Sequence, residues 1–581
     1  MSLLNVLKRL PDIFKTLCRR NPMYSFLDLP DDIIYEIGYH LQVRSLCNLA
    51  LTCRHLYASL LLPHLRRAGV DNPFSEIHLH GRKGGDALPA LRLLIFHEPL
   101  KTLLWRAGDD ARTLVREVEQ LRRLVARIPT IEYMELDFSN NWPVTEFRYG
   151  HEHGYWAWIR VCTNLLHVIA QKCHFVVIIN HYQVLSPWLT FIGGHPNNLD
   201  DRLMNRIKAE WRGQMGRVHL ESPSKVSRSH PRDAHRQAFC PPFPAPPAQT
   251  TVGYRTTRLI VNDPGLFQRS LFGEWALNWV NTMPLTHLII HQGRMRLPLL
   301  RQLRLPKLHY FAISRAYGLS ATDVVQILQN NPSLSSLECL DTKLDASAAI
   351  IMVKRSKHGR TATDIGSSIR RLKGSPAFLN RILDLELAFQ HLNTLVIQIR
   401  ADNPYDHGSL TRLFKAVAMR SSICTLVFDL PNRSLEGGSG FCLKKWLSVA
   451  MGPHHGPGTQ EAMENLKYIG NVRFQYHGVP SHPFLLDPHL DQAEIPDLSK
   501  LFAKWLSLFP ALEGVLLSDL HDAAGCPSVA AEIRRQSPEV SVHIHTSMPT
   551  LSRNPALAST DASLRAIPHT EHTRSALTVE R

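Results

Sequence analysis

Histidine is the residue type in this sequence that most invites a search for a metal site. The 581-residue chain contains 31 histidines, and a neutral imidazole is a common metal ligand. The densest group is His151-Glu152-His153, followed by His167, Cys173 and His174. A zinc site needs four converging ligands, which usually come in closely spaced pairs. This group offers a single such pair, so the spacing favours loop histidines and we predict no bound metal.

Motifs for nucleotide chemistry or nucleophilic catalysis are missing from the sequence. No Gly-x-Gly-x-x-Gly and no Gly-x-x-x-x-Gly-Lys-Ser/Thr sequence follows a predicted strand, and no Gly-x-Ser-x-Gly elbow occurs. The ten cysteines include no Cys-x-x-Cys pair, which argues against a zinc ribbon or a disulfide scaffold and favours a reducing compartment. We therefore expect no catalytic residue, no enzyme activity and no cofactor.

The positive charge of the chain is unevenly distributed. Of the formal net charge of +16, segments 202–236 and 354–373 each carry +6. Basic insertions are usually solvated or carry nuclear import signals, whereas a basic groove on a folded face indicates nucleic-acid binding. A basic nuclear protein that binds DNA or RNA is therefore one alternative hypothesis. No run of 18 apolar residues occurs, so no membrane span is predicted.

The elements that must position any site begin with three helical signals in residues 25–62. Pro30 suits a first helical position, and Asp31 and Asp32 suit the first turn. Apolar residues then recur at helical spacing in Ile34, Ile37 and Leu41, with Ile33 widening the stripe.

Two shorter helices are predicted after the first one. Leu46 and Leu49 mark the second helix, and Thr52 is the predicted N-cap of the third. The inward face of the third helix is predicted to consist of Cys53, Leu56, Tyr57 and Leu60. A unit of about 40 residues seldom buries enough surface to fold alone, so its excess apolar face must be covered by the rest of the chain or by a partner.

This stretch resembles the F-box. The matching pattern is Leu-Pro-x-Asp-Ile-Ile-x-x-Ile-x-x-x-Leu, then x-x-x-Ser-Leu-x-x-Leu, then Cys-Arg-x-Leu-Tyr, over residues 26–60. In that family the Leu-Pro pair and the aliphatic faces dock onto a Skp-type adaptor of a cullin–RING ubiquitin ligase. The resemblance implies an adaptor-binding set of Leu29, Pro30, Ile33, Ile34, Ile37, Leu41, Leu46, Leu49 and Tyr57. The alternative is a three-helix piece that packs on its own domain.

A helix, a stop at proline and a short strand recur along the rest of the chain. Apolar residues at helical spacing run from Val115 to Ile128, Pro129 ends the helix, and the strand IEYMELDF follows. Comparable units precede THLIIH, KLHYFAIS, SLSSLECL, HLNTLVIQI, SICTLVFDL and ALEGVLLSDL, and the unit before KLHYFAIS is predicted to contain a helix over Leu299–Leu305. The strands share a Leu-x-x-Leu-x-Leu pattern or a near variant, for example Leu334–Leu337–Leu340, Leu392–Leu395–Ile397 and Leu512–Val515–Leu517.

These units resemble leucine-rich repeats of irregular length. The consensus asparagine is absent from most units, so a general α/β domain with parallel strands and crossover helices is the alternative. The predicted fold class is α+β overall, with an N-terminal three-helix F-box followed by an irregular leucine-rich-repeat-like α/β solenoid. In such receptors the target usually lies on the concave strand face, which implicates His287, His309, Glu338 and Thr394 as outward residues.

The predicted domain organisation follows from these patterns and from composition. Residues 1–24 form a helical leader, 25–65 the F-box, 66–220 a helical linker with the first repeat-like units, and 252–545 the main repeat-like domain. Three stretches are predicted to be disordered or flexible: the Pro/Ser/Arg-rich insertion 221–251, an insertion at 354–376, and the tail 546–581.

The resemblance implies an SCF-type substrate receptor that binds the adaptor and cullin ligase core at one end and a target protein at the other. Its location is then cytoplasmic, nuclear or both. A scaffold that binds the adaptor but acts outside ubiquitination is a further alternative. The residues that bind the target are not identified by the sequence.

Overall fold

The computed structural model describes most of the chain between residues 29 and 545. The described ranges are 29–41, 43–80, 87–108, 111–138, 151–180, 253–262, 271–291, 299–314, 317–340, 343–344, 365–385, 389–399, 406–431, 443–451, 457–477, 495–518 and 525–545. The chain divides into two compact units, Met1–His291 and Gln292–Arg581. The predicted leader, the insertion 221–251 and the tail 546–581 lie outside the described residues.

Unit 1 begins with a small group of helices, here called the helical module. It consists of α1 (Asp31–His40), α2 (Val43–Ala50), α3 (Arg54–Leu56), a π-helical turn (Tyr57–Leu61) and α4 (Leu62–Arg67). Pro30 lies at the N-cap of α1, one position before the predicted one. The third helix is capped by Cys53, whose Sγ accepts the Leu56 amide, so the predicted cap at Thr52 was wrong by one residue. Thr52 instead closes the preceding turn, because its hydroxyl donates to the Leu49 carbonyl.

The rest of unit 1 alternates strands with helices. Its strands are β1 (Glu76–His80), β2 (Leu100–Arg106), β3 (Ile131–Phe138), β4 (Cys173–Asn180), β5 (Arg258–Asn262) and β6 (His287–His291). Its helices are α5 (Ala111–Arg127), α6 (His151–Lys172) and α7 (Leu271–Thr282). The strands pair in chain order and all of these pairs are parallel.

Unit 2 continues the same alternation. Its strands are β7 (Tyr310–Ser314), β8 (Tyr317–Leu319), β9 (Ser336–Leu340), β10 (Lys343–Leu344), β11 (Arg371–Gly374), β12 (Thr394–Gln398), β13 (Thr425–Pro431), β14 (Asn471–His477), β15 (Gly514–Ser518) and β16 (Ser541–His545). Its helices are α8 (Ala321–Asn330), α9 (Pro376–Leu383), α10 (His407–Ala418), α11 (Leu443–Met451), α12 (Pro457–Glu464), α13 (Ile495–Leu506) and α14 (Gly525–Gln536).

The main sheet of unit 2 is also parallel and sequential, in the order β7-β9-β11-β12-β13-β14-β15-β16, while β8 and β10 pair separately. Because crossovers between parallel strands are right-handed, a sequential order brings the connecting helices to one side of the sheet. Leucine-rich rows such as Leu337, Leu372 and Leu395 occupy that side. Gly374 lies there too, and a Cβ at this position would stand 2.5 Å from Phe378 of α9.

Six strands of unit 2, β9 and β11 to β15, start from the same hydrogen-bonded element, here called the carbonyl ladder. One carbonyl oxygen accepts two consecutive amides of the next repeat, and the second amide belongs to the first residue of the next strand. The six carbonyls belong to His309, Ser335, Arg370, Asn393, Cys424 and Gly470. Successive members are separated by 26, 35, 23, 31 and 46 residues. The strand register is therefore regular although the repeat length is not.

Two features fill the interior of unit 2. An aromatic cluster of Phe428, Phe474, Trp446 and Trp505 packs with ring centroids 5.2 to 5.9 Å apart. Asn331 is buried between two repeats, where its side chain accepts the Leu305 amide at 2.7 Å and donates to the Leu303 and Ile327 carbonyls. Asn331 thus satisfies buried backbone groups at a turn.

Several predicted helices and strands are present in the structure and others are not. The helix that ends before Pro129 and the strands predicted after the helix stops are present. The helix predicted over Leu299–Leu305 was wrong, since only a short 3₁₀ turn, Leu300–Gln302, forms there. The insertion predicted to be flexible over 354–376 ends in β11 and the first residue of α9, so its last six residues are structural.

Candidate interaction surfaces

The helical module divides the nine predicted adaptor residues by burial. Ile34 and Leu46 are buried, Pro30 is exposed and Ile33 is 47% exposed. The half-buried residues are Leu29, Ile37, Leu41, Leu49 and Tyr57. The buried and the exposed residues have different roles, because a buried side chain stabilises the module and an exposed one is available to a partner.

The buried part of the pattern is the core of the module itself. Ile34, Ala50, Leu56 and Leu60 form one cluster, with Leu29, Leu49 and Cys53 packed against it. The helical spacing of apolar residues in this stretch is therefore explained in part by packing within the module.

Tyr57 contacts its own chain. Its hydroxyl donates to the Leu93 carbonyl oxygen at 3.2 Å, which ties the module to the segment before β2. This contact competes with a role for Tyr57 in docking.

Sequence reasoning also missed Leu51, which is 60% exposed. Leu51 lies in the turn between α2 and α3, where helical periodicity gives no signal.

A second exposed group lies elsewhere on the module. The guanidinium carbon of Arg67 stands 3.8 Å from the ring centroid of Tyr39 and 5.4 Å from that of Tyr35. The Arg67 guanidinium also donates to the Tyr39 carbonyl at 3.4 Å. These cation–π contacts fasten α4 to α1.

The sheet face opposite the helices, here called the strand face, carries the polar residues of the strands. In unit 2 its first row contains Tyr310, Ser336, Arg371 and Thr394, and its second contains Ala312, Glu338, Lys373 and Val396. The alternation follows from the two-residue period of a strand, which puts every second residue of each strand on this face.

A network of four charges lies on the strand face of unit 2. Lys373 Nζ is 2.8 Å from Asp429 Oδ2 and 3.9 Å from Glu338 Oε2, and Arg371 Nε is 3.5 Å from Glu338 Oε1. Gln475 donates to Asp429 Oδ1 at 3.2 Å. Glu338, Lys373 and Asp429 are exposed by only 4%, 5% and 1%, so each charge is compensated within the protein.

This network corrects two sequence-based expectations. Glu338 was predicted to be an outward target-binding residue, but it is buried and ion-paired. Lys373 and Arg371 were counted in a solvated basic insertion, but they belong to β11 and pair with carboxylates. Burial lowers the pKa of Lys373, but Asp429 and Glu338 outweigh it and hold that pKa above its usual value. Burial and the nearby Glu338 raise the pKa of Tyr310.

Exposed residues of the strand face are concentrated on the last strands of unit 2. Asn471 and Arg473 on β14 and Ser541 and His543 on β16 are exposed. Among the predicted outward residues, His287 and Thr394 are half-buried and His309 is exposed beside the Ser333 carbonyl.

The strand face of unit 1 has a different composition. Glu135 is 7% exposed and accepts a hydrogen bond from the Tyr133 hydroxyl at 2.8 Å. Burial raises the pKa of Glu135, and the Tyr133 hydrogen bond opposes that rise. Nearby, Arg106 pairs with Asp137 at 3.1 Å, and the rings of His78 and His80 lie 6.3 Å apart.

The histidine group singled out in the sequence does not assemble into a metal site in the described residues. His151 and His153 belong to α6 but their side chains lie outside the description, and Cys173 is buried beside Met134. His167 contacts Gln171 and Tyr254. Over the described part of the chain, no group of three or more His, Cys, Asp or Glu side chains is placed to hold a metal.

Within the same residues, no helix has the length and apolarity needed to cross a membrane.

Comparison with known proteins adds little to this geometry. No protein-family model and no curated protein matches the chain. A solved structure, the leucine-rich repeat-containing protein LegL7 from Legionella pneumophila, is similar over 55% of this chain and 93% of its own, at 12% identity and a TM-score of 0.31. At that level the likeness carries no argument about function.

Proposed function

We propose that this protein is the substrate-recognition subunit of an SCF-type cullin–RING ubiquitin ligase. Its helical module would act as an F-box that binds a Skp-type adaptor, and its repeat-like region would bind a target protein. The observation that supports this proposal is the exposure of Pro30 and Ile33 in a module whose core contains Ile34, with Leu29 and Leu49 packed against it.

Two exposed apolar side chains of the module are available to a partner. Fully burying an aliphatic side chain is worth about 1.5–3 kcal/mol relative to leaving it exposed. Ile33 and Leu51 are each about half exposed and forgo part of that gain in the free chain. Buried apolar anchors of this kind dominate the binding energy of many interfaces.

The proposed mechanism is proximity rather than chemistry by this chain. A receptor that holds a target beside the charged ubiquitin carrier raises the effective concentration of the reacting groups. The chain needs only two binding surfaces held together, and the Tyr57 contact with Leu93 supports a firm connection between the module and the first repeat. We place this activity in the cytoplasm, the nucleus or both.

Replacing Leu29 and Pro30 with Ala is expected to abolish binding of the adaptor in a pull-down with the full chain. Because Leu29 also packs on the module core, Ile33→Glu is the sharper variant, since it places a charge on an exposed position. The matched control is Met419→Glu, which changes an 87% exposed side chain outside the module. The control is expected to bind the adaptor normally.

The same experiment separates the proposal from its alternatives. Retention of adaptor by both Leu29/Pro30→Ala and Ile33→Glu would refute the assigned surface. Recovery of adaptor without cullin would favour a scaffold that acts outside ubiquitination. Tyr57→Phe is expected to keep the adaptor, because that hydroxyl is engaged by Leu93.

A further inference from the structure

The last strand of unit 2 presents a hydrogen-bonding edge. Among the described strands, β16 pairs with β15 alone. The Ser541 amide donates to the Glu513 carbonyl at 2.8 Å, so Ser541 and His543 direct their backbone groups toward β15. In a strand of a parallel sheet the backbone groups of alternate residues point to opposite sides. Val542 and Ile544 therefore direct theirs away from the sheet.

One of these outward groups is engaged by a side chain. The guanidinium of Arg534, from the preceding helix α14, donates to the Val542 carbonyl oxygen at 3.2 Å. The neighbouring Arg535 is engaged differently, because it pairs with Glu532 on its own helix at 2.6 Å. The two arginines thus share a helix and a charge but only Arg534 contacts the strand edge.

We propose that the outer edge of β16 is a latent interface between two copies of this chain and that Arg534 keeps it closed. An unpaired strand edge is a template for another strand, and proteins protect such edges with short strands and charged side chains. Here the strand has five residues, and the guanidinium occupies the position where an amide of an added strand would bind.

A second copy is the occupant because it presents the same edge. Two β16 strands related by a two-fold axis would run antiparallel and offer each other the outward groups of Val542 and Ile544, which gives a closed pair. Ile544 adds apolar surface at this place, since it is 40% exposed. Arg534 prevents this pairing because its guanidinium already binds the Val542 carbonyl oxygen.

The test compares Arg534→Met with Arg535→Met in the full chain by sedimentation velocity at equal concentration. Both changes remove one charge and add the same apolar side chain. Arg534→Met is expected to shift the mass from one chain toward two, and Arg535→Met to remain at one. Arg534→Ala repeats the removal without adding apolar surface and is expected to behave like Arg534→Met.

A double variant shows whether the edge itself is responsible. Ile544→Pro deletes an outward amide while leaving the bonds to β15 intact, so Arg534→Met with Ile544→Pro is expected to return to one chain. Circular dichroism confirms folding of each variant. A folded Arg534→Ala that stays at one chain would overturn the proposal. So would equal association of the Arg534 and Arg535 variants, or association that Ile544→Pro does not reverse.

Discussion

The strand faces of the two units bury charge in opposite ways. In unit 2, Glu338 and Asp429 are matched by Arg371 and Lys373 over three strands. In unit 1, Glu135 is buried on β3 and is held by the hydroxyl of Tyr133. One face thus compensates charge with charge, and on the other a buried carboxyl group with a raised pKa accepts a hydrogen bond from a hydroxyl.

The pKa shifts reflect this difference. The pKa of Lys373 is raised because two carboxylates outweigh its desolvation, so Lys373 stays charged. The pKa of Glu135 is raised because burial disfavours its charged form. The stability of the charge network in unit 2 therefore depends on every member, whereas the contribution of Glu135 to stability depends on pH.

The largest effect is expected from Lys373→Met, which leaves Asp429 and Glu338 buried without their shared cation. Breaking a buried ion pair from one side costs about 3–5 kcal/mol, and chemical denaturation measures the loss. Arg123→Met is the control, because it removes one partner of an exposed pair with Glu119, which is worth under about 1 kcal/mol. Equal losses in the two variants would show that the buried network has no special weight.

A smaller loss is expected from Tyr133→Phe in unit 1. The variant keeps the edge-to-face contact with Phe175 at 5.0 Å but removes the donor to Glu135. Leaving a buried acceptor without its donor costs about 1–3 kcal/mol. The pKa of Glu135 should rise further, because the lost hydrogen bond lowers it. A loss as large as that of Lys373→Met would contradict the contrast between the two faces.

Glu135→Gln is expected to have the smallest effect and the opposite sign. A carboxyl with a raised pKa favours the folded state fully below its unfolded value near 4.5, and this contribution is lost as pH rises through the folded pKa. The glutamine variant, which can still accept from Tyr133, should therefore match the native chain at pH 4 and be more stable at pH 7. Unfolding titrations at both values measure the difference. A variant that is less stable at pH 7 would refute this account.

Much of the repeat architecture is predictable from local signals. Pro129 ends α5 because proline lacks an amide donor, and the buried leucines of the strands recur at fixed offsets. The helical module was predicted from the same kind of periodicity. These features depend on residues within a few positions of one another, so a single sequence is enough to predict them.

The strand-face network was not predictable in this way. Glu338, Lys373 and Asp429 are brought together by the register of four strands, and nothing local links them. β11 was missed because its four residues, RLKG, contain two basic side chains and no apolar alternation. The burial of Ile34 and the exposure of Ile33 are also tertiary facts, since both belong to one apolar stripe in the sequence.

The carbonyl ladder separates the length of a repeat from its alignment. Because each of these six strands is held at its first residue by the preceding repeat, the chain between two such residues can lengthen from 23 to 46 residues without shifting the next strand. Evolution can therefore insert or delete sequence in the excursions while the scaffold keeps its phase. New recognition elements can be added to this protein one loop at a time.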